Sequence, residues 1–133
     1  MSGLLMLNII LGLVLLAMVG NTLYMYILGK RSAKLITEDE FREGMRKGQV
    51  IDVREKDAFD AGHILGARSL PYSMLKTSMQ SLRKDQPIYL YDQKRSISIR
   101  TASKLKKAGY TDIYVLKDGY EGWTGKIKKK STL

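Results

Sequence analysis

The chain has 133 residues, a formal net charge of +10 and no cysteine. Its length allows one domain of ordinary size together with an anchor or a tail. The positive charge is spread along the chain rather than gathered in a stripe, and no nucleic-acid-binding motif accompanies it, so we predict no nucleic-acid partner.

The first predicted element is an uncharged apolar segment at the N-terminus. The first 29 residues carry no charged side chain, and Leu4–Leu28 is an almost unbroken apolar run. A helix of about 20 such residues crosses the ~30 Å hydrocarbon core of a membrane. Residues 1–29 are therefore predicted to be a transmembrane anchor. A cleavable signal peptide is the alternative, but no basic residue precedes Lys30 and Ala17-Met18-Val19 is a poor cleavage site.

The charges that follow this segment predict its orientation. Lys30, Arg31 and Lys34 come directly after it, so the positive-inside rule places the N-terminus outside and the rest of the chain in the cytoplasm. Tyr24 and Tyr26 lie near its end, where aromatic rings favour the headgroup layer. The absence of cysteine is compatible with a reducing compartment. Anionic lipid is the simplest partner for the three basic residues.

A basic linker is predicted over residues 30–36, followed by a domain over residues 37–125. Thr37 and Glu40 form a Thr-x-x-Glu capping box that begins a short helix, which ends at Gly48. Strand and helix patterns then alternate. In chain order they are strand Gln49–Val53, helical turn Asp57–Ala61, strand Ala67–Leu70, helix Ser73–Leu82, strand Ile88–Tyr91, helix Ser96–Ala108 and strand Ile113–Leu116.

This alternation predicts an α/β domain with a central parallel sheet flanked by helices and preceded by one transmembrane helix. Ligands of such sheets bind beyond the carboxyl ends of the strands, where Asp92–Ser96 would lie. Residues 126–133 are predicted to be a mobile basic C-terminal tail.

Several short motifs are distributed between residues 50 and 123. They are Ile51-Asp52-Val53-Arg54, Phe59, Gly62-His63-Ile64, Gly66-Ala67, Leu70-Pro71, Ile88–Tyr91, Ala108-Gly109-Tyr110, Leu116, Gly119 and Trp123. Together they resemble the rhodanese-like domain family. The resemblance implies the rhodanese-like fold and a sulfur-carrying cysteine directly after the strand Ile88–Tyr91. In this sequence that position holds Asp92.

The resemblance also implies a binding loop after that strand, with backbone amides that surround the sulfur in active members. Its residues here are Asp92, Gln93, Lys94, Arg95, Ser96 and Ile97. A carboxylate cannot form a persulfide, so we predict no catalytic residue and no thiosulfate or mercaptopyruvate sulfurtransfer. The loop departs from the family pattern again at Arg95, where a glycine is usual, and at Ile97, where an arginine is usual.

Asp92 has three interpretations. It caps the helix that follows, since aspartate accepts hydrogen bonds from free amides. It occupies the site that its own loop would offer to an anion. It accepts a phosphoryl group, which would require Mg²⁺ and further acidic ligands that the sequence does not suggest. Lys94 and Arg95, with Arg100 nearby, have two interpretations. They recognise a small anion or an acidic partner. Alternatively, they are solvated side chains on a surface loop.

Four other residues of the motifs are predicted to be structural. The resemblance implies that Asp52 and Arg54 brace the end of a strand and the neighbouring loops. His63 is the only histidine, and no set of potential ligands accompanies it, so we predict no metal site. Trp123 and Tyr120 are expected to pack the C-terminal segment onto the sheet. No cofactor is predicted.

The sequence therefore predicts a single-span membrane protein with a cytoplasmic rhodanese-like domain that lacks sulfurtransferase activity. Its predicted role is that of a binding or scaffold module for an unknown cytoplasmic protein. Two alternatives remain open at this point. One is an accessory of sulfur trafficking that uses a partner's thiol, and the other is a regulatory protein of the lipid surface.

Overall fold

A single long helix forms the N-terminal segment of the computed structural model, which describes residues 2–130 except for the side chains of residues 28–32. This helix, α1 (Gly3–Ser32), has 30 residues and is therefore about 45 Å long. Its apolar side chains between Leu4 and Ile27 are exposed, except that Met25 is half-buried. The stretch Gly3–Ile27 is long and apolar enough to cross a membrane.

The rest of the described chain folds around a five-stranded parallel sheet, as the alternation of strands and helices predicts. The seven strands are β1 (Lys34–Ile36), β2 (Gln49–Asp52), β3 (His63–Ile64), β4 (Arg68–Ser69), β5 (Ile88–Tyr91), β6 (Ile113–Leu116) and β7 (Ile127–Lys128). The main sheet has the order β1-β6-β5-β2-β4, and all its strands are parallel. Its central strand β5 is therefore hydrogen-bonded to β2 on one side and β6 on the other.

Between residues 33 and 130, four shorter α-helices connect the strands: α2 (Glu38–Gly44), α3 (Lys56–Ala61), α4 (Leu75–Ser78) and α5 (Ser96–Lys107). The capping box predicted at the start of α2 is confirmed. The Thr37 side chain accepts a hydrogen bond from the backbone N–H of Glu40, and the Glu40 side chain accepts one from the backbone of Thr37. This reciprocal pair satisfies two of the free amides of the first helical turn.

Alternate residues of β5 point to opposite faces of the sheet and define two cores. Ile88 and Leu90 pack in one cluster, which includes Leu75 of α4 and Leu105 of α5. Tyr89 and Tyr91 belong to the other, which includes Phe41 of α2 and Leu116 of β6. Because all four residues of β5 are buried, this strand reads in the sequence as a continuous apolar run.

The structure places a strand in the segment predicted as a basic linker. Lys34–Ile36 pairs in parallel with β6, and Ile36 is buried. Three residues are too few to show a strand periodicity in the sequence, and the partner strand comes from far along the chain. The ordered sheet therefore begins at Lys34, within the segment 30–36.

The helix predicted over Ser73–Leu82 is not continuous. It consists of two 3-10 turns, Tyr72–Met74 and Met79–Ser81, on either side of the single turn of α4. The Tyr110 hydroxyl lies 2.7 Å from the carbonyl oxygen of Met79 and 3.0 Å from that of Leu82. These tertiary contacts take the place of hydrogen bonds that a longer helix would make.

The basic tail predicted to be mobile is hydrogen-bonded up to Lys130. β7 pairs in antiparallel fashion with β3, with Lys128 opposite His63 and Ile127 opposite Ile64. The backbone N–H of Lys130 donates to the carbonyl of Asp60 at 2.9 Å. The prediction was wrong for these residues, because lysine-rich composition does not reveal a backbone partner elsewhere in the fold. Residues 131–133 lie outside the described part of the chain.

Candidate functional site

The loop between β5 and α5 lies at the carboxyl end of the central strand of the sheet. β5 ends at Tyr91, and α5 begins at Ser96. In parallel α/β sheets this edge is where ligands bind, because loops from neighbouring strands meet there. All six residues of the predicted binding loop are therefore at this edge. Asp92 is buried, whereas Gln93, Lys94, Arg95 and Ser96 are exposed and Ile97 is half-buried.

The Asp92 carboxylate lies against the N-terminal turn of α5. One oxygen, Oδ1, accepts hydrogen bonds from the hydroxyl of Ser98 at 2.6 Å and from its backbone N–H at 3.3 Å. The other oxygen, Oδ2, accepts from the backbone N–H of Ile97 at 3.3 Å. The carboxylate thus satisfies two free amides of the first turn and faces the positive end of the helix dipole, although the N-cap position itself is Arg95. Two of the amides that would face an anion at this position, those of Ile97 and Ser98, already bind the chain's own carboxylate.

A second segment of the chain supports this loop from the other side. The backbone N–H of Tyr120 donates to the Asp92 carbonyl at 2.8 Å, and that of Glu121 donates to the Gln93 carbonyl at 3.1 Å. Gly119 makes the close approach possible. Its φ is +63°, and a Cβ there would collide with the carbonyl oxygens of Gln93 and Lys94.

Arg54 joins the end of β2 to the same loop. Its guanidinium makes a forked ion pair with the fully buried Asp52, with Nη2 to Oδ2 at 2.8 Å and Nε to Oδ1 at 3.1 Å. It also donates to the Gly62 carbonyl at 2.7 Å and to the Gln93 side chain at 3.3 Å, and lies over the Tyr120 ring. Burial opposes its charge, but the hydrogen bonds to Asp52 and the charge of Asp52 raise the pKa of Arg54. The Arg54 guanidinium is thus engaged in structural contacts and is not available to bind a ligand.

His63 is engaged in local packing. Its Nδ1 lies 2.8 Å from the Phe59 carbonyl oxygen, and its ring stacks on Phe59 with centroids 3.7 Å apart. Between residues 2 and 130, no group of three or more histidine, aspartate or glutamate side chains has the arrangement of a metal site. His63 therefore stabilises the junction between α3 and β3 through its contacts with Phe59.

Tyr91, directly before Asp92, fixes β3 against the sheet. Its buried hydroxyl accepts a hydrogen bond from the backbone N–H of Ile64 at 3.0 Å. Burial and the nearby Asp52 carboxylate raise the pKa of the Tyr91 phenol. The side chain is fully buried, so it supports the loop without facing a ligand.

Trp123 holds the segment after the last strand of the main sheet. Its ring meets Phe41 edge-on, with centroids 6.0 Å apart, and Arg42 lies over its face. Its Nε1–H donates to the Lys126 carbonyl at 3.2 Å, directly before β7. Tyr120 and Trp123 both pack against the core cluster that contains Phe41, which agrees with the packing role expected for them.

Two features of this edge have no signal in the sequence. The first is the support from Gly119, Tyr120 and Glu121, which depends on backbone contacts between distant segments. The second is the position of Arg95 and Ser96 beside the C-terminal half of α1, where they line a groove together with Asn21, Thr22 and Met25. Periodicity within α5 or α1 cannot show which helices pack together.

This edge of the sheet offers no cysteine for sulfur transfer. The chain has no thiol, and the buried carboxylate nearest the loop amides is held by three hydrogen bonds. The exposed part of the loop carries two cations, Lys94 and Arg95. A charged loop of this kind suits recognition of an acidic surface.

Comparisons with known proteins find relatives for most of the chain. The family model described as "Rhodanese-like domain" matches residues 37–126. The chain is 46% identical over 123 residues to the Bacillus subtilis (strain 168) protein named "Uncharacterized protein YqhL", covering 92% of this chain and 98% of the relative. It is 34% identical over 97 residues to the Escherichia coli (strain K12) protein named "Uncharacterized protein YibN", covering 69% of this chain and 68% of the relative. The longer of these matches must include part of α1, since it leaves only about ten of the 133 residues uncovered.

Solved structures show the same fold. A rhodanese-like domain protein from Staphylococcus aureus superposes with a TM-score of 0.67 at 24% identity, covering 74% of this chain and 99% of that one. The thiosulfate sulfurtransferase from Pseudomonas aeruginosa superposes with a TM-score of 0.66 at 30% identity, covering 73% of this chain and 20% of that one. The match to the enzyme is thus confined to a fifth of the enzyme's length.

Proposed function

Because the chain belongs to the rhodanese-like domain family and contains no cysteine, we propose that it is a membrane-anchored binding module rather than a sulfurtransferase. Its loop Gln93–Ser96 is the surface that contacts a partner protein. Sulfur transfer through a protein persulfide requires a thiolate, and no residue of this chain supplies one.

The observation that carries this proposal is the bonding of Asp92. Its carboxylate accepts hydrogen bonds from Ile97 and Ser98 at the start of α5, where the family resemblance expects a cysteine sulfur. We therefore take Asp92 as the residue at the cysteine position. A small anion at the start of α5 would have to displace this carboxylate from the Ile97 and Ser98 amides.

The exposed cations define the partner that the loop suits. Lys94 and Arg95 project from the loop, and no ion pair engages either of them within the described part of the chain. An acidic patch on a protein complements this charge. Exposed ion pairs contribute only ~0–1 kcal/mol each, so the binding energy of the loop alone is modest. Tethering to a membrane compensates by raising the effective concentration of the module near a membrane-associated partner.

The anchor in this proposal is α1, inserted and uncleaved. Its exposed apolar surface has no protein partner between Leu4 and Leu23 that would bury it, which favours lipid as its surroundings. The absence of a basic residue before Lys30 favours an anchor over a signal sequence. The charge step after α1 favours the orientation with the N-terminus outside and the domain in the cytoplasm.

A sulfur-trafficking accessory is the second candidate, supported by the retained fold alone. In that case a partner supplies the thiol, and persulfide forms only in the mixture of the two proteins. The binding module predicts no persulfide on either protein, alone or in the mixture.

Two measurements test the proposal. The purified full-length chain should produce no thiocyanate from thiosulfate and cyanide above a mock purification. Tagged full-length chain cross-linked in native membranes should retain a specific partner that is lost in the Lys94→Glu variant. The matched control is Lys47→Glu, which reverses one exposed lysine beyond the end of α2 and away from the loop. Clear turnover, or equal capture by the two variants, would contradict the proposed role of the loop.

A further inference from the structure

A groove separates the C-terminal half of α1 from the edge of the α/β domain. It has a volume of about 1040 Å³. Asn21, Thr22 and Met25 line it on the side of α1. Residues of β1, both ends of α5 and the ends of β6 line it on the other side, so the groove lies where the apolar helix meets the domain.

The position of the groove along α1 corresponds to the membrane boundary. The apolar stretch Gly3–Ile27 has 25 residues and is therefore about 38 Å long, whereas the hydrocarbon core is ~30 Å thick. About 20 residues, counted from Gly3, are enough to cross the hydrocarbon core. Asn21–Met25 then lie at the edge of the hydrocarbon core nearer the domain. Tyr24 supports this level, because tyrosine favours the headgroup layer.

The wall of the groove combines cations with apolar surface. Lys34, Arg95, Lys106 and Lys117 line it, and no ion pair engages Lys34, Arg95 or Lys117 within the described part of the chain. Asp112 is the acidic residue among the lining side chains, and it accepts a hydrogen bond from Tyr114. The lining charge is therefore net positive.

Apolar side chains from both sides complete the wall. Met25 of α1 faces Leu35, Ile99 and Ile113 of the domain across the groove. A ligand that matches both parts needs a negatively charged head and an apolar tail. Inorganic phosphate would match the cations alone, whereas a fatty tail without charge would leave them unpaired.

We propose that this groove binds one anionic phospholipid of the surrounding bilayer. Its phosphate group contacts Lys34, Arg95 and Lys117, and its acyl chains run along α1 from Met25 into the membrane. Arginine suits such a head because its planar guanidinium donates two parallel hydrogen bonds to phosphate oxygens. Arg95 belongs to the loop after β5, so the bound lipid holds this loop at the membrane surface and orients the domain on its anchor. Lys94, which does not line the groove, is then the loop cation left for the acidic partner.

This inference rests on the membrane anchoring of the proposed function, and the two can fail separately. Washing membranes with alkaline carbonate tests the anchor: release of the full-length chain would overturn anchoring and the lipid site together. A chain that stays in the membrane but does not prefer anionic lipid would overturn the lipid site alone.

Native mass spectrometry of the full-length chain in detergent measures the preference. The protein is given equal amounts of phosphatidylglycerol and phosphatidylcholine with identical acyl chains. We expect one phosphatidylglycerol to bind in preference to phosphatidylcholine. A triple variant, Lys34→Gln with Arg95→Gln and Lys117→Gln, should lower this preference by at least about tenfold, because each basic side chain at an anionic surface adds to the attraction.

The matched control removes the same charges elsewhere, in the triple variant Arg46→Gln with Lys47→Gln and Lys76→Gln, all of them exposed and outside the groove. It should keep the preference of the unmodified chain. Equal losses in both variants would show that overall charge, not the groove, selects the lipid. Equal binding of the two lipids, or displacement of phosphatidylglycerol by inorganic phosphate at similar concentration, would also overturn the proposal.

Discussion

The hydroxyl of Ser98 donates a hydrogen bond of 2.6 Å to the carboxylate of Asp92, across the first turn of α5. Asp92 is 5% exposed and Ser98 is fully buried, so this contact is shielded from water. Hydrogen bonds to a charged acceptor are stronger than those between neutral groups, and their loss leaves buried donors unpaired. The contact therefore makes Asp92 a structural part of the loop.

Replacement of Asp92 by alanine should destabilise the domain by about 1–3 kcal/mol, since two backbone amides and the Ser98 hydroxyl lose their acceptor. Urea unfolding of the full-length chain in detergent, followed by circular dichroism, measures the change. Glu43→Ala, which removes an exposed carboxylate at the end of α2, is the control and should stay within about 0.5 kcal/mol. Similar effects of the two variants would contradict the capping role of Asp92.

Asp92→Cys should place a thiol in the amide cradle and lower its pKa. Cysteine at a helix N-terminus titrates below the usual ~8.5, because the amides and the helix dipole stabilise the thiolate. The chain has no other cysteine, so the rate of iodoacetamide alkylation against pH reports this thiol alone. The midpoint should lie about one pH unit or more below that of Gln80→Cys, an exposed control. A midpoint at or above the control would mean that the cradle does not stabilise an anion.

Gly119→Ala should be more damaging than Gly66→Ala, although both glycines have positive φ. At Gly66 (φ +93°) an added Cβ meets nothing within 4 Å, so the cost is backbone strain of about 1–2 kcal/mol. At Gly119 (φ +63°) the Cβ would also collide with the carbonyl oxygens of Gln93 and Lys94. Thermal and urea unfolding of the two variants should show the difference. Equal destabilisation would indicate that the loop after β5 moves away from the added Cβ without a measurable loss in the free energy of unfolding.

The raised pKa of Tyr91 predicts a loss of stability in alkali. An unfolded tyrosine ionises near pH 10, whereas burial and Asp52 keep Tyr91 protonated in the folded chain. Above pH 10 the unfolded state therefore binds fewer protons than the folded state, and the free energy of unfolding falls by up to ~1.4 kcal/mol per pH unit for this residue. Below pH 10 this contribution is fully present.

Tyr91→Phe tests this linkage. The variant should be less stable at pH 7, because the Ile64 amide loses its acceptor, but its stability should fall less steeply between pH 10 and pH 11. Urea unfolding at several pH values gives both quantities. A slope unchanged by the substitution would show that Tyr91 does not remain protonated in the folded state.

Much of this fold is visible in the sequence because its signals are local. The apolar run of α1, the capping box of Thr37 and Glu40, and the strands Ile88–Tyr91 and Ile113–Leu116 each depend on neighbouring residues. The absence of a thiol likewise needs no structure to be recognised. These features determine a long apolar N-terminal helix, a parallel α/β domain and a chain that has no cysteine to carry sulfur.

Only the tertiary structure decides how distant segments meet. The edge strand at Lys34–Ile36 and the strand Ile127–Lys128 exist because β6 and β3 offer free backbone donors and acceptors to them. Arg54 reaches Gln93, 39 residues along the chain, and Arg95 comes to lie beside α1. Short strands and single side-chain contacts gain their stability from a partner whose place is set by packing of the whole chain. A local sequence pattern therefore does not indicate which distant segment is the partner.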